Sequence, residues 1–194
     1  MDSRNRENFL IHVMNTGFER AATSFSKLIH KQVTISSAQS ILIRHDDNFS
    51  CMSEEQGELY ILVTQIIGEI SGKSFLIFNQ DETLEIFRAV GLNVDDTVLK
   101  EAFLLEMDNI MSASVISELS NALGLEIYGD VPQLTKIHSR DLQKFMDGEV
   151  NKDNPSSIIF SNTTFQFEKR GRAHPQFIWK MSNKIFELVP ATKI

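Results

Sequence analysis

"LLEMDNIMSASVISELSNAL", residues 104–123, decides how the whole chain is read. Leu104, Leu105, Met111, Val115, Ile116, Leu119 and Leu123 recur at helical spacing, and at about 100° per residue they gather on one side of a helix. Glu106 falls on the far side and Asn109 at its edge, one turn apart. Ala102, Ala113, Ser117 and Ser120 surround the pair, which leaves a shallow track that another protein's surface can approach closely. Asp108 breaks the pattern by falling towards the apolar side. The helix is expected to begin after "NVDD", capped by Asp95 or Asp96, and to stop at Gly124. That makes it roughly 28 residues and about 42 Å long.

Working outwards, Leu10, Val13, Met14, Gly17, Ala21, Phe25 and Leu28 predict a first long helix over about 5–31. Short strands follow at "VTI" and "ILIRH", then "LYILVTQII" and "SFLIF" as a hairpin around "SGK". "DETLEIFRAVG" predicts a brief helix with Asp81 as N-cap and Gly91 closing it. After the second long helix the order repeats. "LEIYG" and "QLTKIH" read as strands, "SIIFSNTTFQFE" and "PQFIWKM" as a second hairpin around "KRGRAH", and "NKIFELV" as a short final helix. Sliding the chain against itself by 94 residues aligns Asn15 with Asn109, Phe25 with Leu119, Ser26 with Ser120 and Val33 with Ile127. The expectation is therefore one α+β domain over 1–194, internally duplicated as pseudo-repeats of about 5–91 and 95–190. Two long helices would pack on a largely antiparallel sheet.

A chain of 194 residues with 42% apolar and 23% charged side chains is ordinary globular material. A net charge of −7 argues against nucleic acid or an anionic membrane as the main partner. With Cys51 as its one cysteine the chain can form no intrachain disulfide and no cysteine zinc cluster, which fits a reducing compartment. "MDSRNRENFL" lacks a signal-peptide core, and the apolar runs fall short of the ~20 residues of a membrane helix. A cytoplasmic protein is expected.

"LEMDNIMSASVISELSNALGLEIYGDVPQL", residues 105–134, resembles the signature of the CheC/CheX/FliY phosphatases of bacterial chemotaxis. That signature has a Glu, an Asn three residues later and a Pro after a gap of 22, which Glu106, Asn109 and Pro132 satisfy. The family usually carries Asp or Ser where this chain has Ala102, and a small residue where Asp108 stands. In the first half, "MNTGFERAATSFSKLIHKQVTI" is similar to the family's other copy through Asn15, Gly17, Ala21, Ala22, Phe25 and Ser26. There the pattern is broken: His12 stands in place of the Glu, Ala38 in place of the Pro, and Glu19 puts a charge on the strip. "GEISGKSFLIFNQDETLEIFRAVG" is similar to the family's Gly-rich hairpin and following helix. The resemblance covers most of residues 10–135, and a two-half chain of this kind looks most like the CheC branch.

The resemblance implies a phosphatase acting on the aspartyl phosphate of a CheY-like response regulator. Its active site would be Glu106 and Asn109, with Pro132 shaping the adjoining loop and His12, Asn15 and Ala38 forming a degenerate second site. It implies no cofactor of the chain's own, since Mg²⁺ would belong to the partner's receiver domain. It also leaves open a non-catalytic adaptor that binds a receiver domain or a CheD-type receptor deamidase. Among the remaining features, His45-Asp46-Asp47 reads as a solvated turn and Trp179 as core. "EKRGR", residues 168–172, is a hairpin tip or a basic docking contact, and Cys51 has no base partner in sequence. His12 lacks a second ligand at one-turn spacing.

Overall fold

Two helices of 27 residues each, α1 (Ser3–Ile29) and α3 (Thr97–Leu123), lie against one another and against one face of a sheet. The structure is a computed structural model that describes residues 3–44, 57–93, 95–149, 156–167 and 171–189. Between the long helices run β1 (Val33–Arg44), β2 (Glu58–Gly68), β3 (Gly72–Asn79) and the short helix α2 (Gln80–Val90). After α3 come β4 (Ile127–Gly129), β5 (Gln133–His138), a 3-10 turn (Ser139–Asp141) and α4 (Leu142–Gly148). Strands β6 (Ser156–Phe167), β7 (Arg172–Ala173) and β8 (Gln176–Ser182) and helix α5 (Lys184–Glu187) complete it. The fold is α+β, and every strand pair among the described residues is antiparallel.

The sheet order is β1-β6-β8-β3-β2, with β4 and β5 both laid along the outer edge of β2. The two hairpins, β2–β3 and β6–β8, meet at the β3–β8 pair in the middle. Each is flanked by a strand from the other half of the chain: β1 on β6, and β4 with β5 on β2. Strand alternation then sends Leu62, Ile66, Leu76, Phe78, Phe177 and Trp179 into the large core under α1 and α3. Leu59, Ile61, Phe75, Ile77 and Ile178 face the other way, into a smaller core covered by Leu142 and Met146 of α4. Trp179 is fully buried, its ring centroid 4.8 Å from that of Phe177.

Three local readings change. "VTI" and "ILIRH" belong to one strand, β1, whose register against β6 shifts between Ser37 and Ile41. Helix α2 is capped two residues before Asp81: Asn79 accepts from the Glu82 backbone N–H at 2.8 Å, and the Glu82 carboxylate accepts from the Asn79 N–H at 2.9 Å. Asp81 sits instead in the first turn, where a negative charge favours the helix dipole. Helix α4 has no counterpart in the sequence reading. Leu28, on the predicted apolar face of α1, is 44% exposed in the last turn.

The two long helices are in close contact at Gly17. A Cβ there would stand 2.7 Å from the Cα of Val115 on α3, a backbone clash that no rotamer change relieves. An interior Gly→Ala change ordinarily gains about 0.5–1 kcal/mol of helix stability. Gly17→Ala is expected to do the opposite and lose about 1–3 kcal/mol by forcing α1 and α3 apart. Urea unfolding of the two proteins checks the sign.

Candidate functional site

Asp96 starts α3 by accepting from the Leu99 N–H at 2.9 Å, and Gly124 ends it in the left-handed conformation. Between these caps the inner face is set by Leu104, Met107, Met111, Val115, Ile116 and Leu119, all buried. The outer face follows from that choice. Ala102, Glu106, Asn109, Ala113 and Ser117 are all exposed and form one strip along the helix. Ser120 leaves the strip: it is half-buried and donates to the Leu125 carbonyl at 2.6 Å, tying the helix end to the chain that enters β4.

Pro132 is buried in the link from β4 to β5. Asp130 N–H donates to the Gln65 carbonyl at 2.8 Å and Gln133 pairs with Val63, so Val131 and Pro132 together stand opposite the single residue Thr64. This is a β-bulge, and a proline suits it because the extra residue has no ladder bond to make. Val131 is 78% exposed beside it. Gly129, just before the bulge, packs closely: a Cβ there would lie 3.0 Å from Ile116 Cδ1 of α3 and 3.2 Å from Thr64 Cγ2.

Thr64 also answers the question Asp108 raises. Asp108 is fully buried between α3 and β2, and Thr64 Oγ1 donates to its Oδ2 at 2.7 Å. Ser112, one turn on, donates to the Asp108 carbonyl at 2.7 Å and lies 3.4 Å from Thr64 Oγ1. Asp108 Oδ1 is buried without a hydrogen-bond partner among the described residues. Burial raises the carboxyl from its ordinary 3.8 to about 7, with the Thr64 hydrogen bond opposing. Thr64 thus stands between the Pro132 bulge, which faces it across the edge of β2, and Asp108, the residue that precedes Asn109.

No protein-family model matches the chain. Among solved structures, FliY of Thermotoga maritima superimposes with a TM-score of 0.70 at 17% identity, over 94% of this chain and 92% of that one. FliM in a FliG–FliM complex from H. pylori gives 0.62 at 11% identity, covering 94% and 97%. A CheX chemotaxis protein from Desulfovibrio desulfuricans gives 0.52 at 16% identity, covering 88% and 97%. The chain has the fold of the CheC, CheX and FliY chemotaxis proteins. Within that fold, Glu106 and Asn109 occupy the outer face of α3, while Pro132 lies to the side, at the edge strand.

On α1 of this CheC/CheX/FliY-type fold the corresponding positions differ. His12 and Glu19 are exposed and Asn15 is half-buried. Ala38 lies in β1 where its register shifts. Arg20 of α1 forms an ion pair with Glu118 of α3, so a charged contact bridges the two helices outside the core. His45, Asp46, Asp47, Cys51 and residues 168–170 lie outside the described residues; of the basic cluster, Gly171 has φ 70 and Arg172 is exposed. Among the described residues, no group of three His, Cys, Asp or Glu is placed to hold a metal ion, and no helix is long and apolar enough to cross a membrane.

The raised Asp108 has a thermodynamic signature. Its folded form holds a proton more tightly than the unfolded chain, so its stabilisation is complete below pH 4 and is lost as pH rises through about 7. Asp108→Asn cannot titrate. The stability of the variant relative to the parent is therefore expected to improve by about 1 kcal/mol between pH 6 and pH 8. Urea unfolding of both proteins at the two pH values gives that difference.

Proposed function

We propose that the chain hydrolyses the aspartyl phosphate of a CheY-like response regulator, using the outer strip of α3. The observation that carries this reading is that Glu106 and Asn109 are both exposed, one turn apart, among Ala102, Ala113 and Ser117. A partner's surface can come down onto that strip without meeting a bulky side chain. An acyl phosphate is labile, so a rate gain of about 10²–10³ requires only a few kcal/mol. Orienting one water for in-line attack is enough to provide it. Asn109 can accept a hydrogen from that water and donate elsewhere, and an amide does not act as a base at neutral pH. Glu106 would pair with a cationic side chain beside the phosphoryl site and fix the docked register. Mg²⁺ would be bound by the receiver's own acidic pocket.

On this reading the chain is a CheC/CheX/FliY family member working in the cytoplasm, and its halves are copies of one unit. A repeated helix-end contact supports the duplication: Lys31 N–H bonds the Ser26 carbonyl at 3.2 Å, and 94 residues later Leu125 N–H bonds the Ser120 carbonyl at 3.0 Å. The sequence likeness to CheC itself would place a CheD-type deamidase among the possible partners. A second reading, a non-catalytic adaptor, is favoured by the exposed Tyr128 and Val131 at the sheet edge, an apolar surface separate from the α3 strip. It is also favoured by the FliM fold's presence in a complex with FliG.

A receiver domain charged with acetyl phosphate and Mg²⁺ separates the readings. Added protein is expected to speed loss of the phosphoryl group, Asn109→Ala to abolish the stimulation, and Asn15→Ala to change it little. Binding without acceleration would favour the adaptor, and equal damage from Asn15→Ala would contradict a single site.

A further inference from the structure

Asp108 is a buried titratable group that the proposed chemistry does not use, and the fold itself does not require it. The residues 94 positions earlier on α1, Met14 and Phe18, stand where Asp108 and Ser112 stand on α3, and they are equally buried. One half of the molecule therefore packs this interface with apolar side chains, whereas the other sets a carboxyl and two hydroxyls into it. Burying a carboxyl with one oxygen unpartnered is costly, and a methionine at the same place is not. The polar version occurs in the half that carries Glu106, Asn109 and Pro132. It also connects them: Asp108 holds Thr64, and Thr64 is the residue faced by the Val131–Pro132 bulge.

We propose that Asp108 is a positioning residue: by holding Thr64 across the α3–β2 contact it sets the roll of α3, and with it the direction in which the Asn109 carboxamide faces. The catalytic arm of this proposal rests on the phosphatase reading; the structural arm does not. Interlocked packing holds the helix to a narrow range of roll, and a directional hydrogen bond from a fixed strand selects one angle within it. The site is in addition sensitive to proton binding. Ionisable groups on the surrounding elements include His12, Glu19 and Arg20 on α1, Glu58 and Tyr60 on β2, Tyr128 on β4 and Lys136 and His138 on β5, with Lys100, Glu101, Glu106 and Glu118 on α3 itself. None of them contributes to the Asp108 shift, which comes from desolvation with the Thr64 bond opposing. Near neutral pH the carboxyl therefore exchanges between a neutral form and an ionised one whose Oδ1 is charged and unpartnered, and the two seat the helix differently.

Two measurements test this. In proton–nitrogen correlation spectra, the Asn109 side-chain amide (assigned by its loss in Asn109→Ala) is expected to titrate with a midpoint near pH 7. Asp108→Asn should remove the titration, and Thr64→Val, which deletes the bond that favours ionisation, should move its midpoint upward. An Asn109 amide that is flat from pH 6 to pH 8, or that titrates equally in Asp108→Asn, overturns the proposal. In the receiver assay, Asp108→Met is expected to lower kcat about tenfold with KM unchanged. Wild-type kcat in a folded Asp108→Met protein overturns the positioning role; if that variant does not fold, Thr64→Val takes its place. Should the wild-type protein show no hydrolysis at all, the phosphatase reading fails, and the spectra alone decide the role of Asp108.

Discussion

The seat of α3 is the constraint on which the rest depends. A helix of 27 residues has a usable outer face only if its inner face is held at one angle. Here that angle is held from two sides. Gly17 lets α1 approach the backbone of α3 at Val115, and Thr64 of β2 bonds Asp108 from beneath. With Leu104, Met111, Val115 and Leu119 turned inward, Glu106 and Asn109 have no position left but the surface. The exposure of the pair is thus a consequence of packing on the opposite side of the helix, not of anything Glu106 or Asn109 contact themselves.

The sheet passes the same constraint to the edge strand. Because β4 and β5 share β2 as a partner and differ in register by one residue, the bulge at Val131–Pro132 is forced to lie opposite Thr64. Edge bulges re-aim the chain locally, and this one buries Pro132 while leaving Val131 exposed towards Val63 and Phe145 on the α4 side of the sheet. The corresponding strand of the other half, β1, also shifts register between Ser37 and Ile41, but it pairs with β6, and the helix above it carries His12, Asn15 and Glu19. The two halves share an architecture and differ in the chemistry they display.

Much of this was legible in the sequence because periodicity reports burial directly. The two long helices, the Gly91 and Gly124 stops, both hairpins and the exposure of Glu106, Asn109, Ala113 and Ser117 follow from spacing alone. What spacing could not supply were partners distant in sequence. Period places Asp108 on the inner face, yet nothing near it indicates Thr64, 44 residues earlier, as the group that receives it. The α2 cap is ambiguous in the sequence because "NQD" offers two capping side chains in three positions, and only the reciprocal bond from Glu82 selects Asn79. Helix α4 leaves no signal in the sequence because seven residues with two buried side chains, Leu142 and Met146, carry too little period to stand out. "SSAQ" reads as a break between two strands, whereas it is the irregular middle of one.

The most direct measurement of whether the α3 strip is the working surface is a titration of isotope-labelled protein with a receiver domain, held in its activated form by beryllofluoride and Mg²⁺. Resonances along Ala102, Glu106, Asn109, Ala113 and Ser117 should shift together and saturate together. Shifts confined to α1, or to the α4 face of the sheet, with α3 unaffected, would show that the partner binds elsewhere.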